Sequence, residues 1–82
     1  MQAIVEDEEY EVIIMSDMAV CFKKIYENGQ LVKLKKQGEL WLEEDVDFED
    51  KDSLIHLANA SLFLVFGFKK KHVFNNPTIT IE

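Results

Sequence analysis

Residues 16–29, Ser16-Asp17-Met18-Ala19-Val20-Cys21-Phe22-Lys23-Lys24-Ile25-Tyr26-Glu27-Asn28-Gly29, admit two readings, and the choice between them sets the fold. Read as a helix, Ser16 or Asp17 caps the first free N–H groups. Met18, Cys21, Phe22 and Ile25 then recur at i, i+3, i+4 and i+7, with Tyr26 four residues after Phe22, as one apolar stripe. Lys23, Lys24 and Glu27 fall on the other side, and Asn28-Gly29 closes the helix. Read as a strand, the same segment folds back across Asn28-Gly29, the strongest short hairpin signal. Tyr26 would then face Leu31 and Ile25 would face Val32. Lys24, however, would oppose Lys33, Lys23 would oppose Leu34, and Phe22 would oppose Lys35. Like charges and mismatched partners weaken a strand pair, so the pattern favours a helix over residues 17–28.

Outward from this segment, Tyr10 to Met15 reads as a strand by its β-branched content. On the other side, Leu31 to Leu34 and Leu40 to Glu43 flank Lys36-Gln37-Gly38 as a hairpin. Residues 43–52 form an acidic loop, and Asp52 or Ser53 caps a short helix from Leu54 to Ala60. Leu62 to Phe68 reads as a strongly apolar strand, Lys69 to His72 as a turn, and Val73-Phe74 as a resumed strand. Asn75-Asn76-Pro77 breaks the chain before a final edge strand, Thr78 to Ile81, with Pro77 where no donor is needed. The expected fold is α+β: a small, mostly antiparallel sheet of four to five strands packed with one or two short helices. The order of elements matches the ferredoxin-like order. One feature disagrees, because that topology places its first and third strands centrally, whereas Leu62 to Phe68 is the most apolar segment.

The chain has 82 residues, which is one domain, 1–82. A domain this small buries roughly 60–65% of the surface of its unfolded chain. Apolar residues make up 48%, enough to fold without staples. The one cysteine, Cys21, forbids an intramolecular disulfide, and small secreted domains usually need them, so a cytoplasmic location is expected. The N-terminus shows no basic and apolar leader pattern, and apolar runs such as Leu62 to Phe66 fall far short of a membrane span.

Charge is the strongest compositional signal. The net charge is −7, with five acids within Glu6 to Glu11 and eight between Glu39 and Asp52. There is no arginine, the side chain that reads phosphate and guanine with a two-pronged fork. Direct nucleic-acid binding is therefore not expected. The lysine groups Lys23-Lys24, Lys33 with Lys35-Lys36, and Lys69 to Lys71 read as solvated turns or strand edges.

No catalytic or cofactor motif is present, and no enzyme activity and no cofactor are expected. Asp45, Asp47 and Glu49 have calcium-loop spacing, but Asp50 stands where glycine is required and His56 where a bidentate glutamate is required. His56, His72 and the serines have no diagnostic spacing, and Cys21 on an apolar stripe reads as a small buried hydrophobe.

The informative residue is Trp41. In a strand, Leu40 and Leu42 point to one face, and Glu39, Trp41 and Glu43 to the other. The two leucines claim the core, which leaves Trp41 either covered by other chain or exposed as an anchor with an acidic rim. Ile13, Leu31 and Lys33 are candidates for the same surface. The expected partner-binding residues are Trp41, Glu43, Glu44, Asp45, Asp47, Phe48, Glu49, Asp50 and Asp52. Val46 and Phe48 have no place in a purely solvating tail, and either pin this loop to the domain or meet the partner. The expected function is an acidic protein-binding module, an inhibitor or regulator of phage-encoded or immunity type, docking on a basic, nucleic-acid-binding protein. The alternative is an assembly subunit that forms a homodimer through the second sheet face.

Overall fold

The structure, a computed structural model, describes residues 1–67, 69 and 72–82. Five strands and one helix follow in the order β1 (Ala3–Glu6), β2 (Tyr10–Ile14), β3 (Met18–Glu27), β4 (Gln30–Trp41), α1 (Lys51–Val65) and β5 (Thr78–Ile81). The strands form one antiparallel sheet in the spatial order β4-β3-β2-β1-β5. The fold is thus α+β, with α1 laid across one face of the sheet.

Residues 18–27 are a strand, not the expected helix. Ala19 and Cys21 are fully buried on the helix side, while Val20 and Phe22 alternate onto the other face. Ser16-Asp17 is the two-residue loop of the β2–β3 hairpin, closed by Met15 N–H to the Met18 carbonyl at 2.8 Å. Asn28 and Gly29 both take positive φ, 52° and 78°, as a tight β-hairpin turn requires. Two register shifts change the partners expected for a hairpin: Lys24 no longer opposes Lys33, although Lys23 now opposes Lys35. Tyr26 does face Leu31, but Val32 is then skipped, so Lys24 meets Leu34 and Ile25 meets Lys33. A second shift skips Gln37, which leaves Phe22 opposite Lys36 and Cys21 opposite Gly38. One extra residue at each bulge resets the partners beyond it and increases the local twist.

The second correction follows from the first. Lys36-Gln37-Gly38 is no turn but the bulge of one continuous β4, whose neighbour is β3. With a strand where the first helix was expected, the order of elements departs from the ferredoxin-like one. β1 is an element that the sequence reading did not assign.

The third correction concerns the apolar segment from Leu62. It is not a strand; it is the C-terminal half of α1, which runs from Lys51 to Val65. Leu54, Ala58, Ser61 and Leu62 recur at helical spacing and are buried against the sheet. Ser61 satisfies its hydroxyl by donating to the Leu57 carbonyl at 2.8 Å, the ordinary solution for a serine facing a core. Gly67, at φ 61°, ends the helix in the left-handed region. Phe68, and Lys70 and Lys71 of the expected turn, lie outside the described residues. Val73-Phe74 is not a strand: Phe74 is buried, and its N–H donates to Asn59 Oδ1 of α1 at 2.7 Å.

The core lies between α1 and one face of the sheet, built from Val5, Tyr10, Val12, Ile14, Cys21, Leu54 and Leu62 with Phe74. Each large apolar side chain so buried contributes roughly 1.5–3 kcal/mol. The opposite face carries no helix of the described residues. Cross-strand partners share a face, so Ile4, Ile13 and Val20 line up across it, next to Glu6, Glu11, Phe22 and Lys36. Ile13 is on this open face as expected, but Lys33, opposite Ile25, is on the helix side.

Candidate functional site

Trp41 ends β4 opposite Met18 on the open face, and it is 72% exposed. Its neighbours Leu40 and Leu42 turn the other way and pack against the core. The alternation read from the sequence therefore holds here, and of its two outcomes for Trp41 the structure has the exposed one. The Leu42 N–H donates to the Asp17 carbonyl at 2.9 Å, which fixes the chain as it leaves the sheet.

The acidic segment that follows is irregular but anchored. Val46 and Phe48 are half-buried and pack against the core. Of the two roles the sequence left open for them, the structure provides the pinning one. Asp47 Oδ1 accepts from the Glu49 N–H at 3.0 Å, and the Asp47 carbonyl accepts from the Asp50 N–H at 3.3 Å. Asp50 is the N-cap of α1: its Oδ1 accepts from the Ser53 N–H at 3.2 Å. Asp52 sits in the first helical turn, where the positive end of the helix dipole favours a carboxylate.

The expected binding residues thus divide by task. Asp47 and Asp50 hold the backbone, Phe48 anchors it, and Glu43, Glu44 and Asp45 present exposed carboxylates directly after Trp41. Glu49 and Asp52 are exposed on the same segment. The result is a run of carboxylates on a packed base that follows Trp41 directly along the chain.

No family model, curated protein or solved structure matches the chain.

A second constellation was not legible in the sequence. The β1–β2 turn, residues 7–9, meets His72 from the far end of the chain. His72 Nε2 lies 2.6 Å from Asp7 Oδ2, and its Nδ1 lies 3.4 Å from Glu9 Oε2. Burial alone would raise the Asp7 carboxyl, but hydrogen bonds from the Tyr10 N–H, His72 and the Glu9 N–H outweigh it and hold the group below its ordinary value. Lys24 Nζ donates to Glu6 Oε1 at 2.6 Å, and the Tyr26 hydroxyl donates to the Glu8 carbonyl at 2.6 Å. These groups line an open cleft of about 580 Å³. His72 Nε2 is thereby tied to the β1–β2 turn, with Nδ1 turned toward Glu9. The arrangement clamps the segment after α1 to the sheet, with the His72 ring 4.6 Å from that of Tyr10. Among the described residues no group of three His, Cys, Asp or Glu side chains is placed to hold a metal ion. No helix of those residues is long and apolar enough to cross a membrane.

Cys21 is buried in the core as expected, and burial pushes its thiol up to about 11. A thiol so placed is not a nucleophile at neutral pH.

Proposed function

We propose that this domain is a protein-binding module that docks on a basic partner through Trp41 and the acidic segment Glu43 to Asp52, and inhibits or regulates that partner. The observation that carries the reading is the packing of Val46 and Phe48 under the segment. Seven carboxylates in ten residues repel one another, and an unanchored loop would spread them into solvent. Here the chain is held by two apolar contacts, an Asp47 turn and an Asp50 cap, and the charged run begins two residues after an exposed indole. A fixed array of carboxylates meets lysine and arginine side chains that would otherwise meet phosphates. The field sets the rate of encounter and the aromatic contact slows dissociation. A partner that binds nucleic acid fits this chemistry, and the small size and net charge of −7 suit an inhibitor of phage-encoded or immunity type in the cytoplasm.

The test uses the protein as bait in lysate of the cells that encode it. The Glu43→Gln/Glu44→Gln/Asp45→Asn variant removes charge without touching the Asp47 turn or the Asp50 cap. Trp41→Ala removes the ring, at a cost of about 2 kcal/mol or more in binding if it anchors the interface. The reading expects a basic protein that is retained by the original chain, lost with either variant, released by salt and displaced by duplex DNA. Retention that is indifferent to both variants, or no retained basic protein, overturns it.

A further inference from the structure

We infer that the free edge of β4 is the docking surface for a second copy of this chain, paired antiparallel so that the two sheets become one. β4 is a 12-residue strand at the end of the sheet, and its far side has no neighbouring strand among the described residues. Such an edge is a template for another strand, and proteins normally guard it with lysines and bulges. β4 carries both, but its charges are sorted along its length. Lys33, Lys35 and Lys36 come first and Glu39 follows them, three residues after Lys36. Turned around, such a strand can set Lys36 against Glu39 of its partner, and Glu39 against Lys36. Parallel pairing would align like charges, and antiparallel pairing aligns lysine with carboxylate.

The bulge fixes the register. Lys36, opposite Phe22, and Glu39, opposite Val20, share the open face, although they are three residues apart. In a regular strand they would point to opposite faces; the skipped Gln37 restores them to one. Leu34, opposite Lys24, and Trp41, opposite Met18, lie on that face too. A two-fold axis beside Gln37 and Gly38 therefore sets Lys36 against Glu39 of the second copy and Leu34 against Trp41 of the second copy, each pair twice. Within one chain Lys36 Nζ donates to Glu39 Oε1 at 2.5 Å, so the pairing joins two such ion pairs into a ring of alternating charge. On the helix side, Lys35 comes opposite Leu40. Leu34 and Trp41 are among the exposed large apolar residues of the chain, at 38% and 72%. The pairing covers the edge and engages Trp41, and it leaves Glu43 to Asp45 exposed beyond the end of β4.

The experiment exploits the reciprocity of the pairs and needs no partner protein. Sedimentation equilibrium of the full chain at about 100 µM and about 50 mM salt should show dimer, and weaken at high salt. Lys36→Glu alone, or Glu39→Lys alone, places like charges opposite each other twice and should weaken self-association about tenfold or more. Mixed in equal amounts, the two variants should form a heterodimer. The glutamate introduced in one chain then meets the lysine introduced in the other, and the unchanged Glu39 of the first meets the unchanged Lys36 of the second. That rescue also shows that each variant is folded. A chain that stays monomeric at this concentration overturns the inference. So do variants that dimerise as well alone as mixed, which would assign the contact to another surface. Either failure leaves the partner-docking reading standing, since that is read with the 43–45 variant, whose residues lie beyond the paired strands.

Discussion

Phe48→Ala separates an anchored acidic segment from a solvated one. A fully buried phenylalanine costs roughly 3–5 kcal/mol when cut to alanine. Phe48 is only partly buried, packed on the edge of the core, so about half of that, roughly 2 kcal/mol, is at stake. In a domain of 60–100 residues each kcal/mol moves the melting temperature by about 4–8 °C, so a loss of roughly 8–16 °C is expected. Urea denaturation gives the free energy, and amide hydrogen exchange locates it. Exchange should quicken at Glu49 and Asp50, whose N–H groups are held by Asp47, and at Ser53, held by the Asp50 cap. Binding to the basic partner should weaken as well, because the carboxylates lose their base. A change below about 0.5 kcal/mol, the range of an ordinary surface substitution, would refute the reasoning.

Two further outcomes follow from the buried and half-buried titrating groups. Cys21, with its thiol pushed up to about 11 by burial, should resist a thiol reagent at pH 8 in the folded state and react at once in denaturant; rapid labelling of the native protein would place Cys21 outside the core. Glu11 is raised above its ordinary value by burial first and by Glu6, its cross-strand neighbour, second. Its charged form is therefore disfavoured in the fold, a penalty present above the folded value and absent once the group is protonated in both states. Glu11→Gln should raise the melting temperature at pH 7 and leave it nearly unchanged near pH 3; an equal gain at both would mean that charge is not the cause.

The sequence made the fold class and the last strand legible because those signals are local. Thr78 to Ile81 alternates between a break and the end of the chain, and nothing competes with that reading. Residues 18–27 failed for a specific reason. Met18, Cys21, Phe22 and Ile25 satisfy a helical stripe, yet Ala19 and Cys21 satisfy a strand with its faces divided, and a period of two fits the same letters. Cross-strand pairing decides between the two, and a continuous register gives the wrong partners. The bulges at Val32 and Gln37 change every partner beyond Leu31; the first has no composition signal, and Gly38 beside the second reads equally well as a turn. Leu62 to Phe66 failed differently: a short apolar run is strand or buried helix by pattern alone. The spacing Leu54, Ala58, Ser61 and Leu62 carries one helical face across the point where a boundary was placed. In the candidate site, Trp41 was legible because Leu40 and Leu42 had to claim the core. The partition of the acids was not, since caps and turns are three-dimensional facts. The His72 clamp spans 65 residues to Asp7 and has no signature along the chain.

The central claim is that Trp41 and the carboxylates after it form one binding surface, and the chain offers a direct reporter because Trp41 is its single tryptophan. Fluorotryptophan incorporated at Trp41 gives one fluorine NMR signal, free of any tryptophan in the partner. Titration with the captured basic protein should shift that signal as the ring leaves water. The affinity should fall steeply between about 50 and 500 mM salt, and the fall should flatten in the Glu43→Gln/Glu44→Gln/Asp45→Asn variant. A partner that binds tightly while the Trp41 signal stays in place, with the same salt dependence in both proteins, would contradict the account.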